Sequence, residues 1–533
     1  MTTIRTRTHR WMLERGLDTV FGNPGSNELP FLRDLPEGIR YVLGLHEGVV
    51  VGMADGYAQA TGRPALVNLH SASGTGNAMG ALTNACNSHT PLVVTAGQQV
   101  RATIGPEPML ANVSAPSLTT PLTKWAGEPL CAQDVPRMLD QALWEATTGS
   151  RGPTYVSVPY DDWDRESADN DDFLLPRRVV EGLRLPPEHL REIAGRLGAA
   201  RRPGLVLGSE VDAVGANAAC RDLAELLGAD VWVAPSPYRL PFPNRHPLFR
   251  GVLPASERGV RAALDGCDVV LVLGAPVFRY HQYEPDRYLS DGTALLHVTE
   301  DPQEAARAPF GISYVAGLTA TARALVDALA EQRGGTRPAP AVAWTVPPAA
   351  PEPVDGVFHP GAVFEVLRGT APADTAYVVE STSTNGDFWR HMDLREPGSY
   401  FWPASGGLGF GLPAAVGVKL ARPDRPVVAV VGDGSANYGI TALWTAAQYR
   451  VPVVFVILKN GTYGALRWFS GMLGTGEVPG LDVPGIDFLS IARGYGVPAA
   501  AAGTAEELAE LVRQGLAADG PTLVEVRTEL TTP

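Results

Sequence analysis

The chain has 533 residues, of which 45% are hydrophobic and 19% are charged, a composition typical of a globular protein with about three domains. Its formal net charge of −14 argues against nucleic acid and acidic membrane surfaces as partners, so small molecules and further copies of the chain are expected. The four cysteines show no CxxC spacing that would indicate a zinc site, and no signal peptide or apolar run of about 18 residues occurs, so the cytoplasm is the predicted compartment.

Short apolar runs alternate with helical segments along the chain, which predicts an α/β fold whose sheets are mainly parallel and flanked by helices. The runs are Ala65–Leu69, Leu92–Ala96, Tyr155–Val158, Gly204–Leu207, Val269–Leu273, Val427–Val431 and Val451–Leu458. The charged stretch Asp161–Arg178 and the proline-rich stretch Gly334–Pro360 interrupt this pattern, and prolines in such number disfavour helix and central strand. We therefore predict a first domain at residues 1–180, a middle domain at 181–335, an extended linker at 336–360 and a third domain at 361–533.

Two loops of the first domain carry polar residues that suit a ligand site. The turn cluster Phe21–Glu28 follows an apolar strand and contains Ser26, and such loops place backbone and hydroxyl groups against ligands. A glycine-rich loop after Leu69 begins with His70. A single histidine is more often an ordinary hydrogen-bonded residue than a proton-transfer group, so His70 alone leaves both interpretations open.

A carboxylate stands between these loops at the end of a predicted strand. Tyr41–Leu45 has the pattern of a strand, and Glu47 follows it at the start of a helix of small residues, Gly48–Ala60. A glutamate in that position usually complements the helix dipole, so its functional interpretation depends on the rest of the chain.

Two of the apolar runs in the third domain end in oxygen-bearing motifs. One run leads into Gly432-Asp433-Gly434-Ser435, the next leads into Asn460-Gly461-Thr462, and a helical segment joins them as a βαβ unit. The Asp433 carboxylate, the Asn460 amide and the Thr462 carbonyl are ligands that suit Mg²⁺ bridging to phosphate oxygens. This pattern resembles the thiamine diphosphate motif, and the alternative is two ordinary turns after strands.

Over essentially its whole length, the chain also resembles the benzoylformate decarboxylases. The resemblance is carried by Phe21–Pro30 (FGNPGSNELP), Leu69–Gly80 (LHSASGTGNAMG), Thr95–Gln99 (TAGQQ), Val158–Trp163 (VPYDDW), Gly274–Tyr283 (GAPVFRYHQY), Glu380–Thr384 (ESTST), Gly406–Ala415 (GGLGFGLPAA), Gly432–Tyr438 (GDGSANY) and Asn460–Phe469 (NGTYGALRWF). It implies pyrimidine-binding, middle and diphosphate-binding domains, and a homotetramer built as a dimer of dimers. It also implies active sites between subunits, where Glu47 of one chain reaches cofactor anchored on Asp433 of another.

The resemblance assigns roles by position. Glu47 would hydrogen-bond the aminopyrimidine and favour the tautomer that removes the thiazolium proton, Ser26 would orient the substrate carboxylate, and His70 and His281 would transfer protons. The bulky Leu408 would hold the cofactor in its bent shape. The implied cofactor-binding residues are Asn23, Pro24, Gly25, Glu47, Asn77, Thr382, Ser383, Gly406, Leu408, Asp433, Gly434, Ser435, Tyr438, Asn460, Thr462, Tyr463 and Gly464. The implied metal ligands are Asp433, Asn460 and Thr462, with Mg²⁺ as the ion and Ca²⁺ as its possible substitute. The implied substrate residues are Ser26, His70, His281, Met109, Leu110, Trp402, Ala465, Leu466 and Phe469.

Two departures from the family pattern affect what the resemblance implies. Lys459 precedes Asn460 where a second asparagine is usual, but the ligand itself is retained. Trp402 and Pro403 stand where a phenylalanine and a smaller residue are expected, so the aryl pocket would be narrower.

The resulting hypothesis is non-oxidative decarboxylation of benzoylformate to benzaldehyde and CO₂, a reaction of mandelate degradation. A decarboxylase of another 2-keto acid and a carboligase stay open as alternatives on the same fold. A flavin-dependent acetohydroxyacid synthase is disfavoured because the middle domain matches the decarboxylases, and a non-catalytic protein is disfavoured because Glu47, Asp433 and Asn460 are present. A nicotinamide dehydrogenase lacks support, since no Gly-x-Gly-x-x-Gly is followed by an acidic residue about 20 positions later.

Overall fold

Three parallel sheets form the framework of the protein. The structure, a computed structural model, describes residues 2–167, 171–279, 282–333 and 347–531. In chain order these residues build three α/β units, and each unit contains one six-stranded sheet whose neighbouring strands run parallel. The predicted α/β class with three helix-flanked parallel sheets is therefore confirmed.

The first unit has the strand order β2-β1-β3-β4-β6-β5. Its elements are α1 Ile4–Glu14, β1 Thr19–Gly22, α2 Leu29–Leu32, β2 Arg40–Leu43, α3 Glu47–Thr61, β3 Ala65–Leu69, α4 Ser71–Asn87, β4 Leu92–Gln98, β5 Trp125–Gly127, α5 Val135–Thr147 and β6 Thr154–Pro159. The order of strands reverses between β1 and β3, and loops at the carboxyl ends of such strands border a crevice.

The second unit has the order β12-β11-β10-β7-β8-β9 and reverses between β10 and β7. Its elements are α6 Pro187–Ala199, β7 Pro203–Leu207, α7 Ser209–Ala213, α8 Asn217–Leu227, β8 Asp230–Val233, β9 Phe249–Val252, α9 Glu257–Ala263, β10 Val269–Leu273, β11 Ala294–Thr299, α10 Pro302–Arg307, β12 Ile312–Val315 and α11 Leu318–Arg333. The central strands β7 and β10 are buried along their whole length, as expected for strands covered on both faces.

The third unit has the order β14-β13-β15-β16-β18-β17 and reverses between β13 and β15. Its elements are α12 Pro360–Thr370, β13 Ala376–Glu380, α13 Asn385–His391, β14 Tyr400–Phe401, α14 Gly411–Ala421, β15 Val427–Gly432, α15 Asp433–Gly439, α16 Ala442–Gln448, β16 Val454–Lys459, α17 Gly464–Leu473, α18 Phe488–Gly494, β17 Ala499–Ala502, α19 Ala505–Leu516 and β18 Thr522–Arg527.

Most predicted strands appear within one or two residues of their expected bounds. The run predicted from Val451 forms a strand only from Val454, since Pro452 has no N–H to donate to a neighbouring strand. The domain boundaries at 180, 335 and 360 stay predictions. Helix α12 begins at Pro360, the last residue of the predicted linker, and residues 334–346 lie outside the described part of the chain.

The first and third units pack through helices α3 and α14, which share one hydrophobic core. Glycines allow the two backbones to touch. A Cβ atom at Gly417 would lie 1.9 Å from the Met53 carbonyl oxygen, and one at Gly56 would lie 2.3 Å from the Ala414 carbonyl oxygen. Larger residues at either position would force the helices apart.

One buried arginine joins all three units. The Arg239 guanidinium donates hydrogen bonds to Asp212 Oδ2 at 2.7 Å and to the Gln59 carbonyl at 2.8 Å. It also lies 4.7 Å from the ring centroid of Phe401. Among the described residues, no helix combines the length and the apolar character needed to cross a membrane.

Candidate active site

The predicted site residues of the first unit follow the carboxyl ends of β1 to β4. Asn23 to Ser26 lie after β1, and His70 lies after β3, so they face each other where the strand order reverses. Ser26 is exposed at this edge. Met109, which is also exposed, and Leu110 belong to the segment after β4.

Glu47 is the first residue of α3 and is buried, with 7% of its surface exposed. Its Oε2 accepts a 3.0 Å hydrogen bond from Asn77 on α4. Gly74, also on α4, faces Oε1 so closely that a Cβ atom there would lie 2.8 Å away. The structure therefore brings together Glu47 and Asn77, two residues that were predicted to bind the cofactor.

The sequence prediction missed Glu28, which holds His70 in place. Nδ1 of His70 lies 2.7 Å from Glu28 Oε2, and the Glu28 side chain is fully buried. Gly25 packs against the imidazole, because a Cβ atom there would come within 2.1 Å of Nδ1. The only signal in the sequence was the position of Glu28 in the same turn as Ser26.

The motif predicted to bind phosphate in the third unit lies where β15 and β16 end side by side. Oδ2 of Asp433 accepts a hydrogen bond from the Gly461 amide at 2.6 Å, and Oδ1 accepts one from the Gly434 amide at 2.8 Å. Oδ1 of Asn460 accepts one from the Thr462 amide at 3.0 Å. Burial raises the pKa of the Asp433 carboxyl above its ordinary value, against the lowering effect of these amides.

Two tyrosines and a turn complete this edge of the third sheet. The Tyr463 ring covers Gly434, where a Cβ atom would lie 2.6 Å from the ring, and a hydrogen bond with Tyr438 raises the pKa of the Tyr463 hydroxyl. Ser383, in the turn after β13, lies beside Gly464 at the start of α17, where a Cβ atom on the glycine would be 3.1 Å from the serine side chain. The predicted cofactor residues after β13, β15 and β16 thus converge on one edge.

Lys459, the departure from the family pattern, has a partner within the sheet. Its Nζ lies 3.1 Å from both carboxylate oxygens of Glu525 on the neighbouring strand β18. The lysine therefore points toward β18 and leaves the oxygen ligands after β16 in place.

A second buried carboxylate, Glu380, was also missed by the sequence prediction. It ends β13, and its two oxygens accept 2.6 Å hydrogen bonds from the amides of Gly409 and Gly411. Burial raises the pKa of the Glu380 carboxyl to about 7. The carboxylate thereby fixes the loop that carries Gly406 and Leu408 next to the turn of Thr382 and Ser383.

A cleft of about 1260 Å³ opens between the second and third units. The predicted substrate residues Trp402, Ala465 and Phe469 line it together with Thr382 and Gly406. Ser26, His70, Met109 and Leu110 are not part of this lining and lie on the first unit, whereas Leu466 is exposed on α17. The predicted catalytic residue His281 lies outside the described residues.

The residues present fit a metal-bound diphosphate. A buried carboxylate, a side-chain amide oxygen and a backbone carbonyl form the hard oxygen set that Mg²⁺ and Ca²⁺ prefer. Thr382 and Ser383 follow β13, the neighbour of β15, so they stand at the same edge of the sheet as Asp433. The oxygen donors of these residues, and the parallel register that places β15 beside β16, account for the fit.

Comparison with known families agrees with this arrangement. Residues 3–117 match the N-terminal TPP binding domain of thiamine pyrophosphate enzymes, residues 190–325 match their central domain, and residues 380–526 match their C-terminal TPP binding domain.

Individual relatives cover the whole chain. A benzoylformate decarboxylase of Pseudomonas aeruginosa is 57% identical over 100% of both chains. The solved structure of a thiamine diphosphate-dependent 4-hydroxybenzoylformate decarboxylase from Rhodococcus jostii RHA1 is 56% identical, covers 99% of both chains and has a TM-score of 0.97. A putative acetolactate synthase large subunit of Mycobacterium tuberculosis is 31% identical over 97% of both chains. The chain belongs to the thiamine pyrophosphate enzymes and, within them, to the benzoylformate decarboxylase family.

Proposed function

We propose that the protein decarboxylates benzoylformate, an aryl 2-keto acid, to benzaldehyde and CO₂, with thiamine diphosphate and Mg²⁺ as cofactors. The observation that carries the proposal is the convergence of Asp433, Asn460 and Thr462 at the strand ends beside an aromatic cleft. The 57% identity to a benzoylformate decarboxylase over the whole chain supports the substrate class.

In this proposal the third unit holds the cofactor. Asp433, Asn460 and the Thr462 carbonyl would bind the metal, and Thr382 and Ser383 would contact the diphosphate. Leu408 would pack against the cofactor from a loop that the buried Glu380 fixes. When bound, thiamine diphosphate supplies the electron sink for loss of CO₂.

The first unit supplies the polar groups that act on cofactor and substrate. Glu47 would hydrogen-bond the aminopyrimidine, and the structure holds this residue buried, with 7% of its surface exposed. Ser26 orients the substrate carboxylate, and His70 and His281 hold or move protons as the aldehyde forms. A positioned proton donor contributes roughly 10² to 10⁴ in rate.

An aromatic substrate fits the lining of the cleft. Trp402, Trp468 and Phe469 line the cleft, and aromatic side chains pack well against a phenyl group. Ala465, Leu466, Met109 and Leu110 complete the apolar wall in the assembled enzyme. Since the Rhodococcus relative is described as a 4-hydroxybenzoylformate decarboxylase, a para-hydroxylated substrate is the second candidate.

The crevice of the second unit disfavours a flavin-dependent synthase. Where its strand order reverses, at the ends of β7 and β10, the small cavity of about 60 Å³ is lined by Glu210, Asp301, Glu304 and Arg279. Burial is the main cause, and the neighbouring Glu300 is a further cause, of the rise in the pKa of Glu210 to about 8. Ligand pockets usually enclose about 300 to 1,000 Å³, so this crevice is too small for a dinucleotide.

We further propose that the protein forms a homotetramer, a dimer of dimers whose active sites lie between subunits. We also propose that the enzyme resides in the cytoplasm. Apolar side chains exposed on the first and third units support an interface: Leu29, Met109, Val113, Tyr438, Leu466 and Leu473.

Co-expression of Glu47→Gln with Asp433→Ala tests the shared site. Random pairing would restore about a quarter of the active sites if each site uses both chains. No recovery of activity would show that each site lies within one chain.

The test of the reaction is a substrate panel. The apoenzyme is assayed for aldehyde release from benzoylformate, 4-hydroxybenzoylformate and aliphatic 2-keto acids, with and without thiamine diphosphate and Mg²⁺. We expect cofactor-dependent benzaldehyde formation. Turnover of aliphatic acids alone would overturn the assigned pocket but keep the reaction class, whereas product formed only with a second aldehyde would indicate a carboligase.

A further inference from the structure

We propose that Glu28 fixes the tautomer of His70, so that the proton of the neutral imidazole stays on Nδ1 and Nε2 is the atom that exchanges a proton with the substrate. The role of His70 toward substrate rests on the proposed function, whereas the tautomer itself does not. Glu28 is thus a positioning residue that acts through His70.

The surroundings of the Glu28 carboxylate are those of an ionised acceptor. Its Oε1 accepts hydrogen bonds from the Gly97 amide at 2.8 Å and from the Ser71 amide at 3.2 Å. Its Oε2 accepts one from the Gly25 amide at 2.9 Å and lies 2.7 Å from His70 Nδ1. Three backbone amides donate to this group, an arrangement that suits a carboxylate, and a carboxylate has no proton to give, so the fourth contact is made by a proton on Nδ1.

The surrounding residues also fix the position of the His70 imidazole ring. The ring packs against Gly25, which has no Cβ atom to displace it, and His70 immediately precedes α4. The His70 side chain is 22% exposed, whereas that of Glu28 is fully buried. Because Nδ1 is bound to the buried Glu28 carboxylate, Nε2 is the ring nitrogen available to a substrate at the edge of the first sheet.

Replacing the carboxylate by an amide should reverse the tautomer. In Glu28→Gln the single side-chain oxygen best serves the two amides of Gly97 and Ser71, which places the NH₂ group against His70 and leaves the Gly25 amide without its acceptor. That NH₂ group can only donate, so Nδ1 must become the acceptor and the ring proton moves to Nε2. The same change of tautomer accounts for the loss of kcat, about 10⁴-fold, when the aspartate of a serine protease triad is replaced by asparagine.

The first test uses diethyl pyrocarbonate, which acylates unprotonated imidazole nitrogen, on the apoenzyme without substrate. Modification of His70 is followed by peptide mass spectrometry, with the exposed His189 as the internal reference and His70→Ala to identify the peptide. We expect at least about a tenfold slower reaction at His70 in Glu28→Gln, with His189 unchanged. Equal rates at His70 in the two folded proteins would overturn the proposal.

A direct measurement on the unaltered protein keeps the proposal testable if the variant does not fold. Histidine labelled with ¹⁵N reports which ring nitrogen carries the proton by solid-state NMR, and His70→Ala assigns the signal. A protonated Nδ1 with a bare Nε2 is expected in the neutral form, and the opposite tautomer would refute the assignment. Both readouts are independent of activity, so an inactive enzyme in the substrate panel would leave this result intact.

In the active holoenzyme, Glu28→Gln should lower kcat by about 10² to 10⁴ with little change in the binding of thiamine diphosphate. Glu28→Asp, which retains the charge, should keep more kcat than the amide variant if the shorter side chain still reaches Nδ1. A loss of cofactor binding equal to the loss of kcat would assign Glu28 a purely structural role instead.

Discussion

The carboxylate of Asp433 and the backbone amide of Gly461 are joined by a 2.6 Å hydrogen bond across the ends of two neighbouring strands. Asp433 begins α15 directly after β15, and Gly461 lies in the loop after β16; the parallel register of these two strands pairs Gly432 with Leu458. The bond fixes the relative position of the two segments that carry the proposed metal ligands. The framework of the proposed metal site is therefore set by the sheet itself.

Asp433→Ala should abolish binding of both metal and cofactor, because it removes the charged ligand and the link to Gly461. Isothermal titration with thiamine diphosphate, in the presence and absence of Mg²⁺, measures the effect. Asp487→Ala is the control, since the Asp487 carboxylate caps α18 by accepting a hydrogen bond from the Ser490 amide. It should lower stability by about 1 kcal/mol and leave binding intact. Unchanged cofactor affinity in Asp433→Ala would refute the ligand assignment.

Glu47→Gln should retain cofactor binding but lose turnover by about 10² to 10⁴. Glutamine keeps the size of the side chain and can still accept the hydrogen bond from Asn77, but it lacks the charge proposed to act on the aminopyrimidine. Steady-state kinetics and cofactor titration, performed on the same preparation, separate the two effects. Near-normal kcat would contradict the assigned role.

Gly417→Ala should destabilise the protein by more than about 3 kcal/mol, because the new Cβ would lie 1.9 Å from the Met53 carbonyl at the contact of α3 with α14. Gly195→Ala is the matched control. Gly195 lies on α6 with no atom within 4 Å of a new Cβ, so this change should be neutral or stabilising by about 0.4 to 1 kcal/mol. Thermal unfolding of the two variants measures the difference, and equal melting temperatures would disprove the tight contact.

Glu380 should make the protein less stable as the pH rises from about 4.5 to about 7. Burial raises the pKa of this carboxyl from 4.5 to about 7, so across that range the native state keeps a proton that the unfolded chain has released. Raising the pH therefore favours unfolding, by up to about 1.4 kcal/mol per pH unit from this group. Glu380→Gln removes the titration and should flatten the pH dependence of the apoenzyme melting temperature. The same slope in both proteins would contradict the assignment.

The sequence could predict the proposed metal ligands because they belong to short local patterns. Asp433 and Asn460 each follow an apolar run at once, and parallel strands bring their carboxyl ends to the same edge of a sheet. Glu47 was placed correctly at the start of a helix for the same reason. The sequence did not explain Lys459, by contrast, because its ion pair is with Glu525 on β18, far along the chain.

Glu28 and Glu380 could not be predicted in this way, since each binds groups far along the chain. Glu28 meets His70 and Gly97, and Glu380 meets Gly409 and Gly411. Of the amides that surround these two carboxylates, only that of Gly25 is close in sequence to the glutamate that it binds, so nothing local indicates the others.

The sequence alone therefore determined the α/β class, the family resemblance and the local motifs at the strand ends, because hydrophobic periodicity and turn chemistry act over a few residues. Only the tertiary structure decided which buried carboxylates hold His70 and the Leu408 loop, and that Arg239 joins the three units. Those contacts depend on how whole helices and sheets pack, and a buried charge is stable only where distant donors converge on it.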